Sequence, residues 1–285
     1  MRVQIDRDIT GFVPRGLPWA ARDPVVNNVL ITNADAARAG RWTFDDALWI
    51  TVFDDGDEVV GAAMHTPPYH LFLCRMPVEA MPALADDLAT KGTEPQGVPG
   101  VTGESATAAA FVGEWQRVTG AIAQPTSGSR IYRLDEVVPP PPVAGRLRRA
   151  TQADRGVLLD WTSAFLREAV PDRPSQDLDA ALDRVIADGA YLWEVDATPV
   201  CYTAARPPAA GVARIGPVYT PPASRRRGFA AACVGEVSQR LLDSGATLCA
   251  LYADLANPTS NGVYERLGYR PVADSQEYRF SYPAD

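Results

Sequence analysis

One stretch of the chain concentrates residue types that handle phosphate. It reads Arg214-Ile215-Gly216-Pro217-Val218-Tyr219-Thr220-Pro221-Pro222-Ala223-Ser224-Arg225-Arg226-Arg227-Gly228-Phe229-Ala230. A strand pattern runs into a proline-broken turn, the turn carries a run of arginines and a glycine, and a helix pattern begins at once. A helix N-terminus offers backbone N–H groups without intrahelical partners and a partial positive charge. A glycine there lets the main chain approach a ligand closely, so the arrangement suits a pyrophosphate. Arginines can pair with phosphate oxygens. A solvated basic turn is the plain alternative. The strand–turn–helix order and the small residues Gly228, Ala230 and Ala231 favour the cradle.

Other constellations are poor. His65 and His70, the only histidines, flank Pro67-Pro68 without H-E-x-x-H spacing, so a turn or surface role is expected of them. The sole lysine, Lys91, does not stand in a G-x-x-x-x-G-K-[ST] frame, which excludes a nucleotide P-loop. There is no G-x-S-x-G nucleophile elbow and no G-x-G-x-x-G after a strand. Cys74, Cys201, Cys233 and Cys249 show no C-x-x-C spacing and read as buried small hydrophobes, so neither a disulfide framework nor a metal site is expected.

The cradle must be held by flanking elements. Pro139 to Pro142 cannot continue a helix or a central strand. They place a linker over 138–144 and divide the chain into 1–137 and 145–285. After the linker the pattern predicts a short strand at 145–150 and a helix opened by Thr151 and Asp154, with Val157, Leu158, Trp161, Ala164 and Phe165 on one face. A second helix carries Leu178, Ala181, Leu182, Val185 and Ile186 and stops at Gly189. Strands follow at 191–195, 200–205 and 212–219, a helix at 229–242, a strand at 247–252, a helix at 260–267 and a strand at 277–281. The strand–helix–strand unit from 212 to 252 makes its two strands parallel.

The first half gives a blurred copy. It has a hairpin at 49–64 around Asp54-Asp55-Gly56, a strand at 70–74, a helix at 78–88, a strand at 98–102, a helix at 106–118 and a strand at 131–134. Ile131-Tyr132-Arg133-Leu134 parallels Glu277-Tyr278-Arg279-Phe280, and Trp115-Gln116-Arg117-Val118 parallels Tyr264-Glu265-Arg266-Leu267. These matches point to an internal duplication, against the alternative that two α/β domains share generic punctuation.

Arg225-Arg226-Arg227-Gly228-Phe229-Ala230 resembles the Q/R-x-x-G-x-G/A signature of the GNAT (GCN5-related) N-acetyltransferase superfamily, between its fourth strand and third helix. Asn257-Pro258-Thr259-Ser260-Asn261-Gly262-Val263-Tyr264-Glu265-Arg266-Leu267-Gly268-Tyr269 resembles that family's N-x-x-(S/A)-x-x-x-Y-x-x-x-G-F/Y segment after its fifth strand. The resemblance covers roughly 145–280 and is weaker before the prolines.

It implies an α/β fold with a mixed sheet, in which the fourth and fifth strands part to admit the pantetheine arm of acetyl-coenzyme A. Gly216-Pro217 suits the parting, since proline cannot donate to a ladder. The resemblance further implies that backbone groups of Val218, Tyr219 and Thr220 bond the pantetheine amides and that N–H groups along Arg225, Arg226, Arg227, Gly228, Phe229 and Ala230 wrap the pyrophosphate. Asn257 would reach the pantetheine, and Ser260 or Asn261 the nucleotide end.

Tyr264 stands where the family has its general acid; a core tyrosine on an amphipathic helix is the alternative. Many members carry a basic glutamate on the fourth strand, and here Val212 to Gly216 has no carboxylate. Asp254 is the candidate base, with Glu194 or a residue of the first half as alternatives. In the first half the cradle glycine is missing after Arg75-Met76-Pro77-Val78 and Trp115 replaces the tyrosine, so that half reads as a degenerate copy that helps shape the acceptor pocket. The activity implied is acetyl transfer to a primary amine of a small molecule or protein by direct attack in a ternary complex. A non-catalytic acyl-coenzyme-A sensor or scaffold is the rival.

Bulk properties agree. The net charge of -8 argues against nucleic-acid binding. The sequence has no apolar run long enough to span a bilayer, and no apolar core of a secretion signal follows Met1, so a cytoplasmic monomer or homodimer without membrane contact is expected.

Overall fold

In the computed structural model, which describes residues 1–169 and 178–283, the chain forms two compact units, Met1–Arg130 with Ala273–Asp285, and Ile131–Val272. The elements run in chain order β1 (Arg2–Asp6), α1 (Ile9–Phe12), α2 (Gly16–Ala20), α3 (Asn28–Arg38), β2 (Leu48–Phe53), β3 (Val59–His65), β4 (Leu71–Leu73), α4 (Met81–Asp87), β5 (Gly100–Glu104), α5 (Ser105–Thr119) and β6 (Ile122–Leu134). They continue with β7 (Arg146–Arg149), α6 (Arg155–Ala169), α7 (Leu178–Gly189), β8 (Ala190–Val195), β9 (Thr198–Ala205), β10 (Val212–Tyr219), α8 (Phe229–Asp243), β11 (Leu248–Asp254), α9 (Pro258–Arg266) and β12 (Arg270–Ser281).

The fold is mixed α/β. From the hairpin onward both halves repeat one order: hairpin, third strand, helix, parallel strand, helix, long strand. The first unit orders its strands β1-β2-β3-β4-β5-β12, with β12 entering antiparallel to β5 from Ser275 to Arg279. The second orders its strands β6-β11-β10-β9-β8-β7. Two strands predicted as short are therefore the ends of long ones, and each long strand crosses a unit boundary: β6 at Ile131 and β12 at Ala273.

A cut at the prolines would divide the chain differently. Residues 131–144 pack with the second unit, where Val137 and Val143 lie against its core. The Val138 N–H donates to the Leu267 carbonyl at 2.9 Å. A Cβ on Gly235 of α8 would come within 3.3 Å of Pro140. The proline run is thus a strap bound along α8.

The sequence pattern misses β1 and α1 to α3. Helices α1 and α2 are single turns, too short for periodicity, and α3 buries polar Asn28 and Thr32 among Leu30, Ile31, Ala34 and Ala36, which blurs its apolar stripe. The Thr151–Asp154 helix start is a capping box, with Thr151 N–H on the Asp154 carboxylate at 2.8 Å. Leu182 and Ile186 of α7 are buried as predicted. All four cysteines are buried free thiols. Among the described residues no helix is long and apolar enough to cross a membrane.

The histidine expectation is corrected. His65 ends β3 and is 1% exposed, because its strand partner is the buried Leu48. His70 lies largely inside the first unit, with Nδ1 3.5 Å from the Glu277 carboxylate.

Candidate functional site

The second unit contains a built-in opening in its sheet. β10 and β11 pair in parallel through Val212↔Leu248, Ala213↔Cys249 and Arg214↔Ala250, and there the pairing ends. Both strands continue, β10 to Tyr219 and β11 to Asp254. The cause lies in Gly216-Pro217. Gly216 has φ 142°, a conformation side chains resist, and Pro217 has no N–H to give a ladder. On the other edge the β9 register shifts between Ile215 and Val218, and the Thr203 hydroxyl donates to the Pro217 carbonyl at 3.0 Å. The bulge turns β10 away from β11 while β9 keeps hold of Val218 and Tyr219.

Below the opening the arginine turn is exposed and leads into α8. Arg226 (φ 61°) and Gly228 (φ 82°) are both left-handed, and Gly228 is the N-cap. The first intrahelical bond runs from Ala232 N–H to the Gly228 carbonyl at 3.0 Å, so the N–H groups of Phe229, Ala230 and Ala231 have no helical carbonyl to meet. Left-handed residues within such a turn can gather successive N–H groups into an anion-binding concavity. Phe229 is buried and anchors the helix start, with the Arg227 guanidinium 4.8 Å above its ring.

The three arginines are not equivalent. Arg225 Nε donates to the Thr220 carbonyl at 2.9 Å and Nη2 to the Glu168 carboxylate at 2.6 Å, while Arg226 and Arg227 are exposed. Arg225 braces the turn from within. Glu168, at the end of α6, also accepts from the Tyr219 hydroxyl at 3.1 Å, and Arg225 holds its carboxyl below the usual range. Thr220 donates to the buried Cys201 Sγ at 3.3 Å.

On the facing side, Asp254 is exposed and its Oδ1 accepts the Ala256 N–H at 2.8 Å, which shapes the turn into α9. Asn257 caps α9 by accepting the Ser260 N–H at 3.1 Å, leaving its amide nitrogen outward. The structure gives Asn261 a different place from the one expected. Its Nδ2 donates to the carbonyls of Asp254 and Asn257, both at 2.8 Å, and its Oδ1 accepts the Tyr132 hydroxyl at 2.9 Å. That amide is spent inside the fold.

Tyr264 is 8% exposed and packs between Tyr132, with ring centroids 6.3 Å apart, and Tyr269 at 6.0 Å. Burial pushes its phenol well above the usual tyrosine range. No group among the described residues hydrogen-bonds its hydroxyl. Glu194, the alternative base, is buried and bound to Arg148 at 2.8 Å, so its charge is already matched. Sequence reasoning missed Glu168 and Tyr132. Both act through partners distant along the chain, which no local pattern announces.

The first unit closes the equivalent opening. β4 pairs with β5 along its whole length, and a Cβ on Gly103 would meet the Leu73 carbonyl at 2.8 Å, so this glycine serves close strand approach. The Arg75 N–H that leaves β4 is taken by Asn27 Oδ1 at 3.2 Å, and the Arg75 guanidinium lies 3.4 Å from Asp23. Trp115 is fully buried, stacked on Phe280 at 6.1 Å and bonded to the Tyr282 hydroxyl at 3.1 Å.

Residues 204–280 match the model of the FR47-like protein family. The whole chain is similar in fold to an acetyltransferase of the GNAT family from Colwellia psychrerythraea (TM-score 0.62, 11% identity, 99% of this chain and 100% of that one). It is similar to a GCN5-related N-acetyltransferase from Sphaerobacter thermophilus (TM-score 0.60, 15% identity, 100% and 97%). It is also similar to a tandem GNAT protein from the clavulanic acid biosynthesis pathway (TM-score 0.61, 14% identity, 100% of both chains). No curated protein matches the sequence at a significant level. With parted parallel strands above a glycine-capped helix, an FR47-like segment over that same region and fold relatives spanning its length, the chain has the fold of the GNAT acetyltransferases it is similar to.

Proposed function

We propose that the second unit transfers an acetyl group from acetyl-coenzyme A to a primary amine of a small molecule or protein, by direct attack within a ternary complex. One observation carries the reading: β10 and β11 stop pairing at Arg214 and Ala250, and β10 then leads through an exposed turn to a helix start whose first N–H groups have no backbone partner among the described residues. The opened edge of β10 suits an extended arm bonded to backbone groups of Val218, Tyr219 and Thr220. The N–H groups from Arg226 to Ala230 suit a diphosphate, with Arg226 and Arg227 able to reach its oxygens. Asn257 Nδ2 and the Ser260 hydroxyl are the side-chain donors of the facing turn.

Acetyl-coenzyme A would supply an acyl carbon activated as a thioester. The chain supplies proton handling. Tyr264 keeps its proton at neutral pH and offers it toward the departing sulfur, in a site whose burial shields that transfer from water. Asp254, or water held near it, takes the proton that the amine must lose. The acceptor is a cationic or neutral amine rather than nucleic acid, given the net charge of -8. We assign no cofactor to the first unit, whose corresponding strands are sealed at Gly103.

A second reading has its own support. β10 carries no carboxylate, and one oxygen of Asp254 is committed to the Ala256 N–H. A protein that binds acyl-coenzyme A as a sensor or scaffold, without turnover, would need neither. Calorimetry with coenzyme A and a free-thiol release assay across a panel of amines separate the cases. Binding with amine-dependent thiol release supports the transferase; binding with no release for any amine supports the sensor; no heat at millimolar coenzyme A ends both.

A further inference from the structure

Tyr132 lies on β6, ahead of the proline strap, yet its side chain is fully buried in the core of the second unit. Its hydroxyl donates to Asn261 Oδ1 at 2.9 Å and lies 3.1 Å from Glu265 Oε1. Its ring packs on Tyr264. Asn261 in turn donates both amide hydrogens to the carbonyls of Asp254 and Asn257. One chain of hydrogen bonds therefore runs from β6 through the first turn of α9 to the loop that carries Asp254 and Asn257. The same tyrosine braces α9 on both sides of Tyr264, at Asn261 and at Glu265.

We infer that Tyr132 is the positioning residue for Tyr264: it fixes the rotation of α9 and thereby the direction of the Tyr264 hydroxyl. The inference rests on the proposed transfer reaction. The geometry gives it specific content. Among the described residues no group hydrogen-bonds the Tyr264 hydroxyl, so its aim depends on the helix that bears it and on the ring beside it. A reacting group displaced by about 1 Å can lose on the order of 100-fold in rate. Tyr132 can impose that precision because a buried hydroxyl paired to a side-chain amide is costly to unpair.

The test uses the full chain and a double-mutant cycle, after the wild-type protein has shown amine-dependent thiol release. Tyr132→Phe keeps the ring against Tyr264 and removes the bonds to Asn261 and Glu265. The expected result is a fall in kcat of roughly tenfold, with the coenzyme A Kd within about twofold of wild type. In a Tyr264→Phe background the same substitution should change kcat by less than about twofold, because its effect passes through Tyr264. A merely structural role predicts equal losses in both backgrounds, and that outcome overturns the inference, as does an unaltered kcat in Tyr132→Phe. Should Tyr132→Phe fail to fold by its thermal transition, Asn261→Ser breaks the same chain at its next link, and the cycle is run with it under the same expectations. Absence of turnover in the wild type would instead strike the proposed reaction itself, so the two failures are distinct.

Discussion

Arg225 and Glu168 meet at 2.6 Å, so the first arginine of the phosphate-seeking turn is already paired with a carboxylate from α6. Both side chains are partly exposed, which keeps the pair weak and salt-sensitive. Glu168 also adds a negative charge beside the turn proposed to receive a diphosphate. Glu168→Gln should therefore tighten coenzyme A binding by roughly two- to fivefold at low salt, with the gain shrinking as salt is raised. Calorimetric titration at two ionic strengths checks this, and weaker binding in the variant contradicts it.

Tyr264→Phe leaves the buried ring contacts with Tyr132 and Tyr269 in place and removes only a hydroxyl that no group among the described residues bonds. Its thermal transition should stay near that of the wild type. Its kcat should fall by about 100-fold, with the coenzyme A Kd changed by less than about twofold. Steady-state rates paired with calorimetry separate the two quantities; a parallel loss of binding and rate would assign Tyr264 to the core instead.

Gly228 sits at φ 82°, and a Cβ there would come 2.9 Å from Val143 Cγ1 on the proline strap. Gly228→Ala should cost about 1–2 kcal/mol of stability from the left-handed conformation alone. It should also weaken coenzyme A at least tenfold, because the helix start must shift. Denaturant unfolding and calorimetry measure the two effects, and a variant of unchanged affinity would remove this turn from the site.

His65 gives the first unit a pH-dependent stability. Burial pushes its pKa from the usual 6.5 down to about 4. The unfolded chain takes up a proton below about pH 6.5, whereas the folded chain resists until about pH 4. The stabilisation from a neutral His65 is thus fully present above pH 6.5 and is lost as pH falls toward 4, at a scale of about 3 kcal/mol. Unfolding curves from pH 8 to pH 4 should show this slope in the wild type and a flatter one in His65→Leu. Equal slopes would place the acid sensitivity elsewhere.

The second unit was largely legible in the sequence, because its signals are local. Gly216-Pro217 announces a strand that cannot keep its ladder, and the observed pairing stops two residues earlier. The strand–turn–helix order around Gly228 is visible in the sequence, and in the structure that glycine caps α8. Roles set by partners distant along the chain were not legible. Arg225 reads as a phosphate ligand until Glu168 is seen against it, and Asn261 reads as a ligand until Tyr132 is found on its carbonyl oxygen. The opening of the first unit failed for another reason, since single-turn helices have no period to read, and in α3 the buried set mixes Leu30 and Ile31 with Asn28 and Thr32. His65 was misjudged because its neighbouring prolines suggest a turn, while its register beside Leu48 buries it.

The unit boundaries inside β6 and β12 bear on how the gene product can be divided. Cleavage among the prolines would leave each fragment holding a piece that completes its sibling: Tyr132 and Leu134 go with one fragment, Phe280 and Tyr282 with the other. Neither fragment should fold alone, and the two made together should reassemble, much as a split reporter does. The polypeptide is two barter partners rather than two tenants, so truncation is the wrong tool for asking which half is active.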